Sequence, residues 1–199
     1  MSSPGTELHA LVLAAGASRR FGAIKQLARI NHEPMLLHAV RCAAAAADRT
    51  WVILGAHANE LTAVLERAPV TVCVNAHWPE GLSSSIRAGI ERLPDCCDGA
   101  LLALGDQALV TAEDYVRLAH IWRGAPQSIV AARYGANPGA PAIFPRRLFG
   151  ELRHLAGDAG ARALLREHAG EVLEVPMPSA AVDIDTPADL AALGTSTTR

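Results

Sequence analysis

Leu8-His-Ala-Leu11-Val-Leu-Ala14-Ala-Gly16-Ala-Ser18-Arg19-Arg20-Phe-Gly22-Ala-Ile-Lys25 is the stretch on which the fold turns. Its first seven residues form a nearly continuous apolar run, the pattern of a strand covered on both faces. Small residues at 14 to 17 let backbone N–H groups approach a ligand, while Arg20 and Lys25 supply fixed positive charge. Lys25 is the only lysine, against 17 arginines. Lysine carries a compact, strongly hydrated point charge on a flexible stem, whereas arginine presents a planar fork. A lone lysine beside a glycine-punctuated turn therefore points to an anion site. The loop is neither GxxxxGK[ST], since Lys25 stands nine positions after Gly16, nor GxGxxG.

Outward from this loop, short apolar runs alternate with helical patterns. Strands are expected at Leu8–Ala14, Thr50–Leu54, Val70–Val74, Ala100–Leu104, Ser128–Arg133, Pro141–Phe144 and Val172–Val175. Helices are expected at Pro34–Ala47, Asn59–Arg67, Leu82–Leu93, Ala112–Trp122, Pro145–His154 and Ala159–Glu167. Thr111 with Asp114 makes a capping pattern, and Asp158 and Thr186-Pro187 mark two further helix entries. Such alternation implies a doubly wound, mainly parallel α/β sheet with helices on both faces, in which ligands lie beyond the carboxyl ends of the strands. The 199 residues suit one domain with a full core, and Gly194–Arg199 is expected to fray.

Bulk properties exclude several roles. A net charge of −2 does not suit a protein that coats nucleic acid or a membrane surface. No apolar run approaches the roughly 20 residues of a membrane span, and no secretory leader is visible. Cys42, Cys73, Cys96 and Cys97 show no zinc spacing and read as reduced thiols, so a cytoplasmic setting is expected. The eight histidines form no HExxH or HxxxH pair, and His77 reads as a polar loop residue.

Further candidates follow the strands. Asn75-Ala-His-Trp-Pro-Glu-Gly81-Leu-Ser83-Ser84-Ser85-Ile86 combines a permissive glycine with serines opening a helix, whose free N–H groups favour an anion or base edge. Taken alone, serines before a helix are more often just a cap. Gly105-Asp106-Gln107 puts a carboxylate at a strand's carboxyl end beside the phosphate loop, where Mg²⁺ belongs between protein and triphosphate. In Val182-Asp183-Ile184-Asp185-Thr186-Pro187, the two aspartates alternate along an extended segment, so one faces an ion unless the strand ends between them. Asp185 is the first choice and Asp183 the second, with a helix cap as the structural alternative for Asp185.

Taken together these segments resemble the molybdenum-cofactor-type (MobA-like) nucleotidyltransferases, and the molybdenum cofactor cytidylyltransferases among them. The first loop is similar to the family's LxAGxSxRMGxxK, with Phe21 in place of methionine. The resemblance implies a Rossmann-like, glycosyltransferase-A-like fold and nucleotide contacts from Leu13, Ala14, Ala15, Gly16, Ser18, Arg20, Lys25, Asn75, Gly81, Ser84, Ser85 and Asp106. It implies Mg²⁺, with Mn²⁺ as substitute, on Asp106 and on Asp185 or Asp183, and catalytic roles for Arg20, Lys25 and Asp106. Asn137–Pro145 and Gly157–Leu165 resemble acceptor-side elements, which places Gln107, Gly139, Gly157 and Arg162 toward the acceptor. Leu13-Ala14-Ala15-Gly16 and Pro34-Met35-Leu36 resemble the cytidylyl subgroup, whose guanylyl relatives tend to carry a second glycine at the position of Ala15. The implied reaction moves CMP from CTP, or a nucleotidyl group from another nucleoside triphosphate, to the terminal phosphate of molybdenum-molybdopterin. A molybdenum hydroxylase or its maturation factor is the implied protein partner.

Three other readings stay open. A nicotinamide-dependent oxidoreductase of the nicotine-blue type shares this domain type, but GxGxxG is missing and Glu33 lies in a loop rather than at a second strand's end. A pterin-carrying module would not need a metal–triphosphate site. A different phosphorylated acceptor fits the same motifs.

Overall fold

The structure, a computed structural model, describes residues 6–158 and 160–195. In chain order the strands are β1 (Leu8–Ala14), β2 (Arg29–Ile30), β3 (Glu33–Pro34), β4 (Arg49–Leu54), β5 (Thr71–Val74), β6 (Gly99–Leu104), β7 (Ile129–Tyr134), β8 (Asn137–Pro145) and β9 (Val172–Pro176). The helices are α1 (Met35–Ala44), α2 (Ala58–Leu65), α3 (Leu82–Ile90), α4 (Ala112–Gly124), α5 (Phe149–Leu152), α6 (Arg162–Glu167) and α7 (Pro187–Thr195). Seven strands form one sheet in the order β5-β4-β1-β6-β8-β7-β9, and β2 and β3 make a small separate hairpin. Only β8 runs against its neighbours, pairing antiparallel with both β6 and β7. All seven expected strands are present, so the mainly parallel α/β sheet is observed.

Every residue of β1 is buried. The alternation of a strand sends Leu8, Ala10, Val12 and Ala14 into one core with α1 and α4, and Leu11 and Leu13 into the other with α3. Each fully buried leucine contributes about 1.5–3 kcal/mol relative to an exposed one, which is why the run is nearly continuous. Thr111 and Asp114 form the expected reciprocal cap on α4.

Local readings needed correction at three places. The helix after Asp158 begins only at Arg162, and Asp158 caps nothing there. The stretch 145–154 divides into a 3₁₀ turn, Arg146–Leu148, and the single-turn α5. Helix α7 runs to Thr195, so the expected tail begins no earlier than residue 196, and 196–199 lie outside the described residues. Among the described residues no helix is long and apolar enough to cross a membrane. All four cysteines are free.

Candidate active site

Three adjoining chambers of about 300, 470 and 380 Å³ open at the carboxyl ends of β1 and β6, and all three share Leu13 and Asp106. The first is lined by the loop 14–26 together with Gly105, Asp106 and Asp185. The loop leaves β1 with the carbonyl of Ala15 accepting from Ala56 N–H at 3.1 Å. Ser18 then turns in the left-handed region, at φ 53°, and its carbonyl accepts from Phe21 N–H at 3.0 Å. Phe21 anchors the turn on a small cluster of Met35, Ala108 and Ile184. Among the described residues, the N–H groups of Gly16 to Arg20 find no acceptor. Consecutive free donors in such a turn form an anion-binding concavity.

Charge meets charge at the mouth of this loop. Lys25 Nζ donates to Asp106 Oδ2 at 2.8 Å and to Asp185 Oδ1 at 3.1 Å. Burial works against its ammonium, but Asp106 and then Asp185 outweigh that and hold Lys25 above the ordinary lysine value. Arg20 reaches the other oxygen of Asp185 at 2.8 Å. The two cations differ in commitment: the Lys25 side chain is 11% exposed and that of Arg20 is 74%. Exposed pairs contribute only about 0–1 kcal/mol, so Arg20 is free to change partners.

The carboxylates converge through long-range contacts. Ile184 is fully buried, and its N–H donates to the carbonyl of Asp106 at 3.1 Å. That bond staples the 182–186 segment beside β6. No strand forms there, so Asp183 and Asp185 both line the third chamber. Partial withdrawal from water, then the charges of Asp106 and Asp185, push the Asp183 carboxyl above its usual range. Asp185 is not the cap of α7: Asp189 accepts from the N–H groups of Asp185 and Thr186, and Thr186 Oγ1 accepts from Asp189 N–H. Its carboxylate is thereby left for Lys25 and Arg20. Among the described residues no three ligating side chains form a ready cation cage. Mg²⁺ and Mn²⁺ do not require one, since hard ions of this kind bind through one or two carboxylates plus substrate phosphates, and Asp106 and Asp185 offer that donor set.

The second chamber is lined by Ala15–Arg19, Trp78, Pro79, Gly81, Leu82, Ser85 and Asp158. Gly81 cannot be replaced freely: its φ is 99°, and a Cβ would fall 1.9 Å from Asp158 Oδ1. The third chamber has an apolar floor that includes Leu102, Leu104, Ala142, Phe144 and Leu165, with Arg162 and the carboxylates at its edge.

Of the residues expected to touch nucleotide, Leu13, Ala14, Ala15, Gly16, Ser18, Arg20, Lys25, Gly81, Ser85 and Asp106 line this cleft. Asn75 and Ser84 do not. Both are buried, and Asn75 Nδ2 donates to Ser84 Oγ at 2.9 Å and Ser85 Oγ at 3.1 Å. The serines are not caps either; Ser84 sits inside α3 and returns its hydroxyl to Gly81 O. On the acceptor side Arg162 lines the third chamber. Gln107 is instead buried, donating to the carbonyls of Ala140 and Ala180. Gly139 makes room for the Tyr134 hydroxyl, which would meet a Cβ at 2.5 Å. Gly157 turns its carbonyl to Ser83 N–H and braces α3. Met35 and Leu36 are buried core residues that line none of the three chambers, although Met35 packs in the cluster that anchors Phe21. Glu33 pairs with Arg41, and His77 with Glu80. Sequence reading gave Arg19, Gln26 and Trp78 no role of their own and read Asp158 as a helix entry, whereas Gln26 lines the first chamber, Trp78 and Asp158 line the second, and Arg19 lines both.

With this geometry in view, comparison with known proteins is informative. Residues 10–172 match the MobA-like NTP transferase domain. The chain is 51% identical over 43 residues to the probable molybdenum cofactor guanylyltransferase of Synechococcus elongatus, a segment spanning 22% of either protein. It is 28% identical over 192 residues to the purine catabolism protein PucB of Bacillus subtilis, covering 88% of this chain and 90% of PucB. Among solved structures, Rv0371c of Mycobacterium tuberculosis H37Rv superposes with a TM-score of 0.82 at 30% identity, over 95% of this chain and 98% of that one. A complex of Rv0371c with manganese gives 0.80 at 28% identity, over 96% and 100%. The chain belongs to the MobA-like NTP transferase family and is a nucleotidyltransferase by family and fold.

Proposed function

We propose that this protein transfers CMP from CTP to the terminal phosphate of molybdenum-molybdopterin and releases pyrophosphate. The observation that carries the reading is the Lys25 ammonium lying between Asp106 and Asp185 at the mouth of a loop with unpaired N–H groups. An oxygen of the acceptor phosphate forms a bond to the α-phosphorus as the bond from that phosphorus to the bridging oxygen breaks. The attacking oxygen is already anionic at neutral pH, so no general base is needed, in keeping with a cleft that holds no histidine or cysteine. The protein's task is to hold two mutually repelling anions and to neutralise charge passing to pyrophosphate.

Within the site, loop N–H groups with Arg20 and Lys25 take the triphosphate, and Arg20 leaves Asp185 to do so. Asp106 and Asp185, with Asp183 beside them, would hold Mg²⁺ or Mn²⁺, which when bound supplies charge neutralisation to the phosphates. The manganese complex of a relative supports a divalent ion of this kind. The third chamber and Arg162 take the acceptor. Ala15 lines the second chamber, and an alanine at the position where the guanylyl relatives tend to carry glycine supports the smaller pyrimidine base. The product would pass to a molybdenum hydroxylase or its maturation factor in the cytoplasm.

One observation favours a second reading. The shared segment with a molybdenum cofactor guanylyltransferase supports GTP as the donor. Pyrophosphate release should be measured with Mg²⁺, molybdenum cofactor and each of the four nucleoside triphosphates in turn. Release with CTP alone is expected; release with GTP would move the assignment to guanylyl transfer, and silence with all four would overturn it.

A further inference from the structure

We infer that Gln26, an uncharged residue behind the loop, sets the shape in which that loop meets the triphosphate. It is a positioning residue acting through Ala14, Gly16, Ser18 and Lys25, and the inference rests on the nucleotidyl-transfer reading above. Gln26 is 4% exposed, yet each polar atom of its amide is engaged. Its Nε2 donates to the carbonyls of Gly16 at 3.0 Å and Ala14 at 3.3 Å, while its Oε1 accepts from Ser18 Oγ at 3.0 Å. Ser18 Oγ in turn accepts from the N–H of Lys25 at 3.2 Å. The ring is closed: one amide fixes two loop carbonyls and one hydroxyl, and that hydroxyl fixes the backbone that carries the sole lysine.

This arrangement bears on anion binding in two ways. An anion is repelled by carbonyl oxygens and attracted by N–H groups, and Gln26 holds two of the loop's carbonyls on itself. Ser18 also occupies a left-handed conformation that only surrounding contacts sustain for a non-glycine residue. Without the amide, the carbonyls of Ala14 and Gly16 and the hydroxyl of Ser18 lose their shared partner, and only the Ser18–Phe21 turn bond and the packing of Phe21 still shape this part of the loop. The chemistry is selective, because the site requires two donors and one acceptor on one side chain. Glutamate lacks the donors, methionine lacks all three groups, and asparagine is a methylene shorter. The sheet does not depend on Gln26, since β1 is tied to β4 and β6 along its length and Ala15 O is held by Ala56.

The test is calorimetric titration of wild type and Gln26→Met with Mg·CTP and with Mg·tripolyphosphate, a probe that has no base. Circular dichroism and Tm are recorded alongside. Wild type is expected to bind both, and Gln26→Met to keep its fold and lose about tenfold in affinity for each probe alike, the scale of the lost loop hydrogen bonds. Equal loss for both probes locates the defect on the phosphates and not on the base, and an unchanged Tm separates it from general loosening, which would weaken both probes and lower Tm as well. Wild-type affinity of Gln26→Met for tripolyphosphate, or a loss confined to CTP, would overturn the inference and leave the function untouched. Failure of wild type to bind either probe would instead overturn the nucleotidyl-transfer reading, and this inference with it. Should Gln26→Met not fold, Ser18→Ala opens the same ring from the other side and must show the same equal loss.

Discussion

The two sides of the cleft bring opposite charges by opposite means. The cationic side, Arg19, Arg20 and Lys25, comes from one short loop after β1 whose inner bonds join residues at most a dozen positions apart, with Ala15, Ala17 and Phe21 tying it to the body of the protein. The anionic side is assembled from distant segments: Asp106 after β6, Asp158 before α6, and Asp183 and Asp185 before α7. Its convergence depends on single long-range ties such as Ile184 N–H to Asp106 O. A local loop is pre-organised by its own sequence, whereas an assembled wall depends on the packing behind it. The cationic side should therefore fail through chemistry when mutated, and the anionic side should also fail through stability.

The largest break in that contrast comes from Lys25→Ala. Loss of one charge contact aimed at the moving phosphate charge costs about 3 kcal/mol, so turnover measured by pyrophosphate release should fall about a hundredfold or more with circular dichroism unchanged. Near-normal turnover would remove the cationic side from the mechanism. On the assembled side, Gly81→Ala forces a Cβ against Asp158 in a left-handed backbone, and a loss of about 1–3 kcal/mol is expected, read as a lower Tm. An unchanged Tm would show that the Asp158 loop moves freely away from α3. Arg20→Ala sharpens the comparison further. Turnover should drop about tenfold through the developing charge, while stability shifts by less than about 0.5 kcal/mol because the pair with Asp185 is so exposed.

The smallest expected effect lies behind the anionic wall, where His168 ties Glu151 of α5 to Glu171. Those two glutamates hold the imidazole above its ordinary value. A raised folded value means the clamp contributes fully below the unfolded histidine value and is lost as pH rises through the folded one. Solvent screening keeps this under about 1 kcal/mol. A slight fall of Tm across that neutral window, absent in His168→Gln, is the expected result.

Much of the fold was legible because its causes are local. Nearly continuous apolar runs such as 8–14 and 100–104 read as strands covered on both faces, and alternation of strand and helix orders most of them. The antiparallel placement of β8 was not legible, since Asn137–Pro145 carries no mark of its direction. Lys25 and Asp106 were readable from composition and position. The roles of Asn75, Ser84 and Gln107 were not, because a polar residue after a strand looks the same whether it faces a ligand or a buried neighbour. Gln26 escaped notice because two of its three partners are backbone carbonyls, which leave no trace in side-chain identity. Asp183 and Asp185 were expected to face apart unless the strand ended between them; no strand forms there, and a buried Ile184 leaves both at the cleft.

A chain with one lysine offers its own reporter. Labelling with ¹⁵N-lysine gives a single side-chain ammonium resonance, from Lys25, and Mg·CTP can be titrated while that resonance is followed. The signal should move and saturate with the nucleotide, and Mg·tripolyphosphate should move it the same way, as the ammonium exchanges carboxylate for phosphate. Saturation with Mg·CTP that leaves the resonance where it was would contradict a triphosphate held between Lys25 and Asp106.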